Sequence, residues 1–138
     1  MGIISGRLDH VALQVADLER ALAFYTGVLG LKLQFRKRDE AHGEAFAFLE
    51  LEGGNLELLQ LLGAEDGAER AAPREPWCPH VALAAEDVDT AIAAVRAAGA
   101  TVLKGPLEIA GLVRWAYIAD PDNNVIEFVQ WLGAEDTE

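Results

Sequence analysis

In RLDHVALQV (7–15) apolar and polar positions alternate and β-formers are frequent, which predicts a strand. Asp17 follows as a helix cap, with the acidic Glu19 in the first turn. Apolar residues then recur at Leu18, Ala21, Leu22 and Tyr25, a helical spacing that has to stop near Gly27 or Gly30. Strands are expected at about 31–37, 44–52 and 55–62. The second half has the same order: a strand at 79–85, a cap at Asp87, and a helix with Val88, Ala91, Ile92 and Val95 that Gly99 terminates. Strands are expected near 101–105, 112–119 and 124–131, the last two joined by the turn-forming DPDNN (120–124). The pattern predicts an α+β chain built from βαβββ twice. Module one spans about 7–62, a polar linker about 63–76, and module two about 78–132, together making one domain of 138 residues.

The two halves are a repeat. LGAED occurs at 62–66 and again at 132–136, and the same offset of 70 places HVAL (10–13) on HVAL (80–83). It also pairs Asp17 with Asp87, Glu57 with Glu127 and Gln60 with Gln130. Aligning 8–66 with 78–136 gives 15 identities in 59 positions, bunched at the two ends, so the relationship does not rest on the pentapeptide. A repeat of this length means two copies of one unit, each needing more than itself to cover its apolar face.

The chemistry lies in what the repeat keeps. His10 and His80 stand early in the first strand of each module, and Glu57 and Glu127 in the last, 47 residues further on in both. Strand alternation directs Val11, Leu13, Val15, Leu56, Leu58, Ile126 and Phe128 toward the helix. The opposite face then carries both histidines, both glutamates, Ala12, Gln14, Ala82, Leu59, Val129 and Trp131. If the first and last strands of a module are neighbours, His and Glu meet on that face. Two imidazoles and two carboxylates suit one divalent ion, Zn, Ni, Co, Mn or Fe, with positions left for water or a substrate oxygen. Inheritance from a duplicated ancestor without metal binding is the competing reading. Small and apolar walls around a few polar groups suit a small-molecule pocket.

Composition narrows the function. With 11 basic and 23 acidic residues the chain carries a net charge of −12. Such a field repels phosphate backbones and anionic lipid, so neither nucleic acid nor a membrane surface is an expected partner. No apolar run approaches the ~18 residues of a membrane span. The first ten residues contain neither an apolar core nor a cleavage site. Cys78 is the one cysteine, which excludes an intramolecular disulfide and fits a reducing, cytoplasmic setting.

LDHVALQVADLERALAFYTGVLGLKL (8–33) resembles the opening module of the vicinal oxygen chelate superfamily. HVALAAEDVDTAIAAVRAAGATV (80–102) and AYIADPDNNVIEFVQ (116–130) resemble the second module. The superfamily includes glyoxalase I, methylmalonyl-CoA epimerase, extradiol dioxygenases, and fosfomycin and bleomycin resistance proteins. The resemblance implies two βαβββ modules forming a curved mixed sheet around a metal cleft, a homodimer, and metal ligands at His10, Glu57, His80 and Glu127. That ligand set is most like bacterial-type glyoxalase I, where metal-bound glutamates shuttle a proton, a catalytic role that Glu57 and Glu127 would take here. The implied activity is that of a lyase or isomerase that enolises a small oxygenated substrate chelated to the metal. Gln14 stands where glyoxalase I commonly has an arginine that holds glutathione, which argues against a glutathione adduct. The alternatives are a metal-free drug-sequestering protein, an epimerase and a dioxygenase. WCPHVAL (77–83) lacks the paired histidines of the epimerases, and a dioxygenase leaves Glu57 unexplained.

Outside this set, His42 reads as a surface residue, and Arg114 as a solvent-facing strand residue with a substrate carboxylate or phosphate as its alternative. Trp77 and Cys78 are placed to line a cleft mouth; Trp77 is equally suited to a dimer interface, and Cys78, two residues from His80, to the same strand face. RDEAHGE (38–44) reads as a connection with a lid as its alternative.

Overall fold

The computed structural model describes residues 2–63 and 71–133. The Ala-Glu-Asp part of each LGAED copy and residues 64–70 of the expected linker lie outside the described residues. The chain divides into two units, Met1–Glu69 and Arg70–Glu138. The first contains β1 (His10–Gln14), α1 (Leu18–Leu22) with a π-helical continuation (Ala23–Val28), β2 (Lys32–Asp39), β3 (Glu44–Leu51) and β4 (Gly54–Leu61). The second contains β5 (Val81–Ala84), α2 (Val88–Ala97), β6 (Thr101–Ile109), β7 (Val113–Ala119) and β8 (Val125–Trp131). Each forms its own mixed four-stranded sheet, ordered β1-β4-β3-β2 and β5-β8-β7-β6. The first and last strands of each unit are parallel neighbours, with Ala12 opposite Glu57 and Ala82 opposite Glu127.

The alternation predicted for β1 holds: His10, Ala12 and Gln14 are exposed while Val11 and Leu13 are half-buried. On the helix side Leu49, Leu56 and Leu58 are fully buried in the first unit, as are Val88, Ile118 and Ile126 in the second. Burying a leucine or isoleucine side chain contributes about 1.5–3 kcal/mol. This packing is what fixes the register and turns the opposite face outward.

Both helices start in the same way. Asp17 Oδ1 accepts the amides of Glu19 and Arg20 at 3.0 and 3.3 Å, and Asp87 Oδ1 those of Asp89 and Thr90 at 3.0 and 3.4 Å. The preceding amides, of Leu18 and Val88, donate to Gln60 Oε1 and Gln130 Oε1 at 2.8 and 2.9 Å. These two glutamines thereby tie the last strand to the helix start, a role that pairing them in the repeat had not disclosed.

The helices end differently. Leu29 N–H donates to Phe24 O, five residues back, whereas Ala98 N–H donates to Ala94 O, four back. The π-turn thus holds one extra residue, and the glycines that close the two helices, Gly30 at φ +80° and Gly99 at φ +81°, stand 69 apart rather than 70.

Several boundaries depart from the sequence expectation. β6 runs to Ile109 because it is an edge strand, where the missing N–H of Pro106 breaks no internal ladder and the register shifts between Lys104 and Leu107. Residues 38–44 are a hairpin connection: Asp39 ends β2, Glu40–His42 make one 3-10 turn, and Gly43 at φ +71° leads into β3. The strand expected from 79 begins at Val81, so His80 and Cys78 precede it.

Candidate metal centre

In the first unit His10 opens β1 and Glu57 lies in β4. His10 Nε2 is 3.2 Å from Glu57 Oε1, with the glutamate side chain 14% exposed. The other ring nitrogen, Nδ1, is 2.6 Å from Asp9 Oδ2. Phe48 pairs with Glu57 across the sheet, and its ring centroid is 5.0 Å from that of His10. Phe35 stacks on Phe48 at 5.0 Å and Phe46 meets both edge-on, so an aromatic wall adjoins the pair.

The second unit repeats the pairing with other neighbours. His80 Nε2 is 2.8 Å from Glu127 Oε1, whose side chain is 16% exposed. Its Nδ1 is 3.0 Å from the carbonyl oxygen of Trp77. Tyr117 pairs with Glu127 and its ring lies 5.5 Å from His80, edge to face, with Trp77 6.1 Å beyond. Trp77, whose carbonyl meets the imidazole, is in the left-handed region at φ +66°. The exposed Cys78 holds its Sγ 3.8 Å from His80 Nδ1.

Nδ1 faces a carboxylate or a carbonyl and Nε2 a glutamate oxygen, so either nitrogen can donate; with Nδ1 as the donor, Nε2 is left to a metal ion. That is the arrangement of a metal-binding imidazole. Two donors each about 2.0–2.1 Å from one ion and at about a right angle are roughly 2.9 Å apart. The observed 3.2 and 2.8 Å suit ligands of one ion. Among the described residues each unit brings together one such pair, and no group of three or more His, Cys, Asp and Glu side chains is clustered as metal ligands.

Of the other residues singled out in the sequence, His42 is a surface residue, its side chain 79% exposed and hydrogen-bonded to Asp39. The Asp39 carboxyl is held below its ordinary range, first by that hydrogen bond from His42. Arg114 lies part-exposed on β7, and its guanidinium is already engaged by carboxylates of this chain. Its guanidinium bridges Asp89 at 2.7 Å and Glu108 at 2.9 Å, side chain 27% exposed. Its hydrogen bonds to these carboxylates, to Asp89 first, raise its pKa further. Sequence reasoning missed Asp9 and the Trp77 carbonyl behind the imidazoles. Asp9 had a signal in its adjacency to His10; a backbone carbonyl has none.

The profile of the Glyoxalase/Bleomycin resistance protein/Dioxygenase superfamily matches residues 7–128. The chain is 30% identical over 132 residues to a probable lactoylglutathione lyase of Vibrio parahaemolyticus, covering 91% of each. Its fold is similar to that of the trypanothione-dependent glyoxalase I of Leishmania major, with a TM-score of 0.69, 26% identity, and 91% and 87% of the two chains covered. It is equally similar to TnmS3, an antibiotic binding protein from Streptomyces sp. CB03234, with a TM-score of 0.69, 25% identity, and 95% and 99% covered. The two βαβββ units with their matched His–Glu pairs and the match along nearly the whole chain agree, and the protein belongs to the glyoxalase/bleomycin resistance protein/dioxygenase superfamily, the vicinal oxygen chelate proteins.

Proposed function

We propose that the protein is a divalent-metal-dependent lyase or isomerase of glyoxalase type, with His10, Glu57, His80 and Glu127 as the ligands of one Zn, Ni, Co, Mn or Fe ion. The observation that carries this reading is the same in both units: a histidine whose Nε2 is turned to a glutamate oxygen, at 3.2 and 2.8 Å, while Nδ1 is held from behind. When bound, the ion would polarise adjacent substrate oxygens and stabilise the negative charge that enolisation places on them. The protein's own share is proton transfer. A glutamate removes the proton from the carbon beside the substrate carbonyl, and a glutamate returns one to the neighbouring carbon. Their modest exposure, 14% and 16%, keeps Glu57 and Glu127 accessible to substrate while limiting competition from water.

The lactoylglutathione lyase relative supports a 2-hydroxyacyl thioester as the type of product. Gln14 offers an amide in place of a guanidinium, which favours a less anionic thiol than glutathione. The working form would be a cytoplasmic homodimer acting on a small molecule.

The first experiment is the metal content of the purified protein with His10→Ala as control. About one ion per chain, lost in the variant, is expected. A protein that binds no divalent ion would refute the reading. The second reading, a metal-free sequestering protein, is favoured by the Phe35–Phe46–Phe48 wall and the likeness to an antibiotic binding protein. It predicts ligand binding indifferent to chelator.

A further inference from the structure

The two histidines are held from behind by unrelated groups. At offset 70 the residue matching Asp9 is Pro79, which has no side-chain acceptor. The second unit nevertheless supplies an acceptor at the same ring atom, the carbonyl of Trp77, a tryptophan in the left-handed region. A bulky residue at positive φ is strained and persists only where surrounding structure requires it. A feature merely inherited from one ancestral module would be the same in both. Here two different devices produce one outcome, so the outcome itself is what the site needs.

We infer that Asp9 and the Trp77 carbonyl are positioning groups for the metal, each holding its imidazole with Nδ1 as donor and Nε2 bare toward the ion. The inference rests on the four-ligand reading above. In free imidazole either nitrogen can carry the proton, and the ring turns about its bond to Cβ. An acceptor at Nδ1 removes both freedoms at once. The two devices are unequal. Asp9 adds a full negative charge, but its side chain is 89% exposed, so water competes for it. The Trp77 carbonyl adds only a dipole, set on backbone beside a His80 side chain that is 22% exposed.

The test is Zn2+ affinity of the full chain, by competition with a chromophoric chelator, for wild type, Asp9→Asn and Asp9→Ala. Loss of such a partner typically weakens metal binding 10–100-fold, and the exposure of Asp9 puts the alanine variant near tenfold. Asparagine keeps an acceptor and loses the charge, so it falls between. Neither substitution disturbs the Asp9 carbonyl that accepts the Asn55 amide at 3.1 Å, so the strand pairing is retained. In 1H–15N spectra of the Zn-loaded protein, the His10 Nδ1 proton should be protected from exchange in wild type and Asp9→Asn and lost in Asp9→Ala. That of His80 should persist in all three. An alanine variant with wild-type affinity and an unchanged His10 proton overturns the inference alone. A wild type that binds no Zn2+ overturns the four-ligand reading and this with it.

Discussion

The repeat keeps polar residues on both faces of each sheet, and the two sets should fail differently. Gln130→Leu isolates the helix-side set. Val88 is fully buried and its amide donates to Gln130 Oε1 at 2.9 Å, while Asp87 serves the next two amides. Leucine keeps the volume, opens no cavity and leaves that amide facing hydrocarbon. An unsatisfied buried donor costs about 1–3 kcal/mol. For a chain of this size each kcal/mol lowers the unfolding midpoint by roughly 3–5 °C, so a fall of about 3–15 °C is expected. Gln60→Leu, which removes the acceptor at 2.8 Å from the Leu18 amide, should match it. Both glutamines lie on the face opposite the histidines, so Zn2+ affinity should stay within about twofold after correction for the folded fraction. Differential scanning calorimetry and chelator competition on the same samples measure the two quantities. Wild-type midpoints in both variants would refute the capping role, and a selective loss of Zn2+ with unchanged midpoints would refute the division of labour between faces.

Glu57→Gln and Glu127→Gln should do the reverse, abolishing most turnover in an enolisation screen and weakening metal binding while shifting the midpoint little; full activity in both would end the proposed mechanism. Gly105→Ala should destabilise the second unit by about 1–3 kcal/mol. Gly105 sits at φ +104°, and a Cβ there would lie 3.0 Å from Trp115 O and 3.1 Å from Ala116, so a urea titration should show a lower midpoint. The Glu19 carboxyl is held below its ordinary value of 4.5 by a hydrogen bond from Arg36 and then by the charge of Arg36. A depressed folded-state value means that this contribution is fully present above the unfolded pKa. It is lost as pH falls below about 4.5 through the folded value. Glu19→Gln should therefore narrow the stability difference between pH 6 and pH 3, and salt should narrow it too because the pair is exposed.

Much of the fold was legible because burial here follows the simplest periodicities. His10, Ala12 and Gln14 face out because Val11, Leu13 and Val15 face in, and a period of two admits no third choice. Asp17 and Asp87 marked the helix starts through the chemistry of the first free amides. Legibility failed where tertiary geometry overrides the local signal. Pro106 reads as the end of a strand, yet an edge strand absorbs it with a shift in register. Arg114 reads as a solvent-facing strand residue with no partner legible beside it in the sequence. Its two partners, Asp89 and Glu108, come from the helix and from the neighbouring strand, 25 and 6 residues away.

The surroundings of the candidate site were hidden by a one-residue slip. The π-turn after α1 adds a residue to module one, so between the helices and the last turns the true offset is 69, not 70. The β7–β8 turn is one residue longer than the β3–β4 turn: Leu51 pairs with Gly54, but Ala119 pairs with Val125, while Glu50, 69 residues before Ala119, pairs with Asn55. That restores 70 before Glu127. This is why the identities bunch at the two ends. At offset 69, Phe46 falls on Trp115, Ala47 on Ala116, Phe48 on Tyr117 and Leu49 on Ile118, and the buried members of the two series agree, each with 0% exposure at the alanine and at the aliphatic residue. The aromatic beside each His–Glu pair is therefore as much a part of the repeat as the ligands are. What differs is its chemistry, a hydrocarbon ring against Glu57 and a phenol against Glu127.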